Sequence, residues 1–152
     1  MSRRNSITMS ETEVEEFLQG RHTMNVASFG PDGNIHLVAM WYGFLDGAPA
    51  FWTYGKSQKI LNLQRDPRVT CLVETGEQYS ELKGVELVGT GEIVSDRDQV
   101  MAVGRSVTER YTGPWSDAMA VGVEQMGAKR LVVKINVEKV VSWDHTKLGG
   151  TY

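Results

Sequence analysis

The sequence predicts a mainly β protein, a β-barrel with helical insertions. Three observations carry that prediction. Short apolar runs of strand length recur along the chain, turn residues separate them, and only a few brief stretches carry helical spacing. One long run, Leu82 to Ser95, contains Gly84, Gly89 and Gly91, as a strand does where it bends at a barrel corner.

The elements follow in order. Ser10 and Glu13 have the spacing of a capping box, and Val14, Phe17 and Leu18 form one stripe, so residues 10–19 read as a short helix stopped by Gly20. Residues 1–9 carry no packing signal and read as a disordered lead. His22 to Phe29 is a strand, GPDGN (Gly30 to Asn34) a turn, and IHLVAMWYGF (Ile35 to Phe44) a second strand with both faces covered. The Asp-Gly turn at Leu45 to Ala48 leads to a third strand, Ala50 to Tyr54, so the first half reads as an antiparallel meander.

A helix then starts near Ser57 and ends before Asp66-Pro67, where proline stops further helix. Val69 to Glu74 is a strand, and the glycine-bearing Leu82 to Ser95 follows. Residues 96–111 have helical spacing through Val100, Val103 and Val107. TGPW (Thr112 to Trp115) breaks it, and Asp117 to Met126 gives another turn or two. Arg130 to Asn136 and Val140 to Trp143 read as two closing strands.

Size and charge narrow the function. A chain of 152 residues fits one domain, and a formal charge of -3 gives no global footprint for nucleic acid or an anionic membrane. Cys71 is the single cysteine, so no internal disulfide and no cysteine metal cage can form. No secretory signal and no run of about twenty apolar residues appears, and the expected location is the cytoplasm.

The segment WTYGKSQKILNLQRDPRV carries the main chemical signal. With Ser57 as N-cap, the amides of Gln58, Lys59 and Ile60 are the free donors of a first helical turn. Lysine there opposes the helix dipole, so Lys56 and Lys59 make sense beside a phosphate or other anion; two solvated lysines beside an ordinary cap are the alternative. His22, His36 and His145 lack metal-ligand spacing and read as structural or exposed. Met40, Trp41 and Tyr42 read either as a stacking wall for a planar ligand or as core and interface filler. Cys71 reads as a small core residue.

Four segments together resemble the pyridoxamine 5'-phosphate oxidase-like, FMN-binding split-barrel superfamily: HTMNVASFGPDGNIHLVAMWYGFLDG, FWTYGKSQKILNLQRDPRVTCLVE, ELKGVELVGTGEIVSD and the terminal VVSWDHTKL. Within it the chain is most similar to the actinobacterial flavin/deazaflavin oxidoreductases of the B group. The resemblance implies a split-barrel homodimer with cofactor sites at the subunit interface. It implies that Thr53 and the backbone of Val38, Ala39, Met40 and Trp41 border the cofactor ring and ribityl chain. Ser57 and Lys59 would hold its phosphate, with Lys56 at the ring edge or phosphate. Gln58 stands where flavin-dependent members have arginine, Asn62 would position the loop, and Trp143 would approach the partner's cofactor.

Losing that arginine favours the deazaflavin F420 over FMN. The expected activity is an F420H2-dependent reduction of an enone, quinone or similar acceptor. The alternatives are an FMN-dependent oxidoreductase and a non-catalytic binder of flavin, deazaflavin or haem. The proton completing reduction would come from water, Tyr42, Tyr54 or Lys56. Arg21, Lys129 and Arg130 are candidate cations for an anionic coenzyme tail.

Overall fold

The computed structural model describes residues 2–20 and 22–150. Helix α1 (Arg3–Ile7) and helix α2 (Glu11–Gln19) lead into a seven-stranded sheet: β1 (Met24–Phe29), β2 (Ile35–Met40), β3 (Gly43–Leu45), β4 (Ala48–Tyr54), β5 (Arg68–Thr75), β6 (Lys83–Val94) and β7 (Arg130–Asp144). Helix α3 (Gln58–Arg65) links β4 to β5, and helices α4 (Arg97–Thr112) and α5 (Asp117–Gly127) link β6 to β7. The fold is therefore mainly β, an antiparallel sheet curled around one core and carrying helices. Among the described residues no helix is long and apolar enough to cross a membrane.

The strand order is β2-β1-β5-β6-β7-β4-β3, which corrects the meander. The first four strands form two hairpins at opposite edges of the sheet, and β4 pairs with β7 instead of β2. Each hairpin has the turn its residues dictate. Asp46 and Gly47 both have positive φ, 51° and 78°, as a two-residue turn matched to strand twist requires.

Strands β2 and β3 are successive parts of one extended segment, so Trp41 and Tyr42 join the two edges of the sheet. The expected single strand Ile35 to Phe44 breaks there because α4 side chains replace the ladder. Tyr42 N–H donates to the Tyr111 hydroxyl at 3.4 Å, Arg110 Nε donates to the Tyr42 carbonyl at 2.8 Å, and Phe44 N–H donates to Ser106 Oγ at 3.2 Å. The expectation that both faces of this strand are covered also fails within one chain. Ile35 and Leu37 are 57% and 66% exposed, because among the described residues no element packs on that side of β2.

Two apolar clusters follow from strand alternation. Met24, Val26, Phe51, Cys71, Val73, Val85, Leu87, Val133 and Ile135 fill the inside of the curl, with Ile60 and Leu63 of α3 and Leu18 of α2 packed in. Ala50, Trp52 and Val132 point to the other face, where Val100, Val103 and Val107 of α4 and Val123 of α5 cover them. Each fully buried aliphatic side chain of this kind contributes about 1.5–3 kcal/mol of transfer free energy.

The two expected closing strands are one strand, β7, with a bulge. Val88 pairs with Lys139 and Gly89 with Val137, leaving Glu138 as the extra residue. A Cβ on Gly89 would sit 2.0 Å from the Asn136 carbonyl oxygen, so only glycine admits the bulge there.

At the amino end Ser10 and Glu13 make both bonds of the capping box, at 3.2 and 2.7 Å. The sequence offers no element before it, yet Arg3–Ile7 is helical. Met9 N–H donates to Ser142 Oγ at 3.1 Å, and Lys147 Nζ donates to the Thr8 carbonyl at 3.0 Å. These anchors come from more than a hundred residues away, which local reading cannot supply.

Candidate functional site

The start of α3 is built as the sequence predicts, with one difference. Ser57 occupies the N-cap position with extended backbone but makes no side-chain cap bond. Its hydroxyl instead accepts from Thr53 Oγ1 at 3.4 Å. The first-turn amides of Gln58, Lys59 and Ile60 therefore lack the usual side-chain acceptor.

Lys59 is half-buried at this end, and among the described residues it has no carboxylate partner. Burial, and then the nearby positive charge of Arg130, push its ammonium pKa below the usual 10.5. Burial likewise lowers the Arg130 pKa. Two cations set together, with no carboxylate partner among the described residues, form a local positive field on a chain whose net charge is negative.

Asn62 takes no open position. It is fully buried, donating from Nδ2 to Ser28 Oγ at 3.2 Å while its Oδ1 accepts from Gln58 Nε2 at 2.8 Å and from Arg65 at 3.3 Å. It pins α3 to β1 and so fixes where the helix start points. Lys56 is exposed, whereas Thr53 is buried with its hydroxyl aimed at Ser57.

A cavity of about 620 Å³ lies between the end of β2, β4 and the two helices α4 and α5; no residue of the α3 start is in its lining, and Arg130, whose charge acts on Lys59, links the two. Ala39, Met40 and Trp41 line one side, and Trp52, Val107, Val123, Met119 and Met126 supply the rest of an apolar wall. Arg130 is the one charged residue in the lining. Its guanidinium lies 4.6 Å from the centroid of the Trp52 ring. The Trp52 ring is fixed by close approach of α4, because a Cβ on Gly104 would meet it at 2.5 Å.

Trp41 is 56% exposed yet held, its ring stacked on Tyr111 with centroids 4.7 Å apart. Val38 points to the interior core instead. For Tyr42 the structure favours core filler over stacking wall: it is fully buried, donates its hydroxyl to the Leu18 carbonyl at 2.6 Å, and is not in the lining of this cavity. Burial raises its pKa to about 12 despite the nearby Arg110, so it is no proton source for a ligand in the cavity.

Trp143 is remote. Thr53 pairs with Leu131 near the start of β7, and Trp143 lies twelve residues further along the same strand. Lys129 is exposed, with its carbonyl accepting from Gly55 N–H, and Arg21 lies outside the described residues.

Sequence reasoning missed Trp52 and the α4–α5 side of the cavity. The signal was present only as apolar helical spacing, which reads the same for a core face as for a cavity wall.

No curated protein matches the chain. Among solved structures it is similar to the conserved hypothetical protein Rv2991 from Mycobacterium tuberculosis, at 45% identity over 100% of this chain and 95% of that one, with a TM-score of 0.94. The fold is shared at lower identity by an F420 reductase (24%, 83% of this chain and 94% of that one, TM-score 0.65) and by a FAD-binding protein from Mesorhizobium loti (20%, 89% and 94%, TM-score 0.67). The family model for pyridoxamine 5'-phosphate oxidase matches residues 10–144. With that match spanning nearly the whole sheet and the start of α3, the chain belongs to the pyridoxamine 5'-phosphate oxidase family.

Proposed function

We propose that this protein is an F420H2-dependent reductase that transfers a hydride to a conjugated small-molecule acceptor such as an enone or quinone. The observation that carries the reading is the uncapped start of α3, with Lys59 lacking a carboxylate partner among the described residues and acted on by the charge of Arg130, which lines an apolar, tryptophan-walled cavity. That arrangement fits a coenzyme with a phosphate at one end and a flat ring at the other. The F420 reductase among the proteins of the same fold supports it.

The amides of Gln58, Lys59 and Ile60, with the Ser57 hydroxyl and the Lys56 and Lys59 ammonium groups, would hold the phosphate. The end of β2, from Val38 to Trp41, has strand β1 on one edge and no strand on the other, so its backbone would border the ring. When bound, a deazaflavin supplies hydride from a carbon centre and disfavours one-electron and oxygen chemistry. Trp41, Trp52, Met40 and Val107 exclude water and orient a flat acceptor. Of the proton sources the sequence offers, Tyr42 is sealed in the interior, while Lys56 and Tyr54 stand open to solvent.

The exposed apolar face of β2 supports a homodimer, in which Trp143 of one chain would serve the site of the other. Gln58 in place of arginine removes a bidentate phosphate partner and argues for F420 over FMN.

Titration of the purified protein with F420 and, in parallel, FMN tests the reading by fluorescence polarisation. Micromolar F420 binding with weaker FMN binding is the expected result. Preference for FMN would move the flavin-dependent reading to first place, and binding of neither would end both.

A further inference from the structure

We propose that the cavity selects an acidic ligand: a flat apolar body seated against Trp41 and Trp52, ending in a carboxylate or comparable anion on the Arg130 guanidinium. Naming that ligand as the hydride acceptor rests on the reductase reading. Its binding does not.

Three observations converge. The cavity is large enough for a small planar molecule, at about 620 Å³. Its lining is apolar except for two threonines and Arg130, and no carboxylate is part of it. Thr108 is already engaged, donating Oγ1 to the Gly104 carbonyl at 2.8 Å. Among the described residues the guanidinium of Arg130 meets no hydrogen-bond acceptor and no acidic side chain, although such a group carries five N–H donors.

Arg130 is also held in place. Arg97 spans the end of α5 and the start of β7, donating to the Gly127 carbonyl at 2.6 Å and the Arg130 carbonyl at 3.4 Å. The guanidinium carbon lies 4.6 Å from the centroid of the Trp52 ring, a cation–π contact that uses none of its N–H donors and so leaves them for a planar anion. A neutral ligand would leave this partly desolvated charge unmatched, whereas an anionic one would satisfy it. Neighbouring Lys59 adds to the positive field and so strengthens the selection.

The test uses anthraquinone-2-carboxylate and its methyl ester as probes, read by quenching of intrinsic tryptophan fluorescence in the cofactor-free protein. The acid is expected to bind about 10-fold or more tighter than the ester, the scale of a charge-assisted hydrogen bond. Arg130→Gln is expected to abolish that preference while leaving the ester's Kd unchanged, which also reports an intact cavity. Met126 is 50% exposed on the cavity rim, so Met126→Glu should fold normally and should likewise weaken the acid but not the ester.

Equal binding of acid and ester by the wild type, or no binding of either, overturns the proposal. So does an Arg130→Gln variant that keeps the preference; if that variant also loses F420 binding, Arg130 belongs to the coenzyme. If the acid binds selectively and F420 does not bind, the reductase reading fails and the acidic-ligand site stands.

Discussion

Trp41 and Tyr111 stack face to face, with ring centroids 4.7 Å apart and planes within 4° of parallel. The pair joins the point where the two sheet edges meet to helix α4. Tyr111 also donates its hydroxyl to the His22 carbonyl and accepts from Tyr42 N–H. One side chain thus holds a cavity wall and closes the curled sheet.

Tyr111→Phe keeps the ring and removes the hydroxyl. Unfolding in urea should show a loss of about 1–2 kcal/mol, the cost of unpaired backbone groups, with ligand quenching of tryptophan unchanged. A matching loss of ligand affinity would mean that the hydroxyl, and not the ring, positions Trp41.

Lys59 should oppose the ligand-free fold and favour the bound one. Its pKa is lowered in the folded protein, so the unfolded chain holds that proton more tightly. Stability from this residue is therefore greatest above pH 10.5 and is reduced as pH falls through the folded value. At pH 7 Lys59→Met should raise the urea midpoint while weakening F420 binding about 10-fold, as loss of one charged hydrogen bond does. A lower midpoint would show that the ammonium has a stabilising partner.

Two glycines separate close approach from open space. Gly89→Ala should cost about 3 kcal/mol or more, since the new methyl meets backbone that cannot move without undoing the β7 bulge. Gly122→Ala in α5 meets nothing within 4 Å and should stabilise by up to about 1 kcal/mol through helix propensity. Thermal melts of both variants check the contrast, and similar melting temperatures would contradict it.

Asp144 governs part of the acid limb. Burial raises its pKa, but the bonds from the Thr146 hydroxyl and amide and from Lys83 outweigh that and hold it below the usual 3.8. Its contribution is present above pH 3.8 and is lost as pH falls through the lower folded value. Asp144→Asn should therefore flatten the stability profile below about pH 4. An unaltered acid limb would place the sensitive carboxylates elsewhere.

Much of the fold was legible because its cues are local. The capping box at Ser10, the Asp46-Gly47 turn, the stop at Asp66-Pro67 and the glycines of β6 each act within a few residues, and each element stands where those cues put it. The pairing of strands was not legible. The turns at residues 30–34 and 45–48 look alike in sequence, yet their hairpins lie at opposite edges of the sheet. The site divides in the same way. The start of α3 follows from its own residues, whereas the interior role of Asn62 depends on Ser28 and that of Tyr42 on Leu18, partners 34 and 24 residues away.

By itself the sequence determined the element types from Ser10 onward, the free amides of Gln58 to Ile60 and the local excess of lysine beside them, because hydrogen-bond supply and side-chain charge are set within one helical turn. Only the tertiary structure decided that Trp41, Trp52 and Arg130 share one cavity and that Trp143 is not part of its lining. Strand alternation assigns each residue to a face, but which faces meet depends on long-range pairing and on the helices that cover them. That information resides in the summed packing of the whole chain, and no short window of residues contains it.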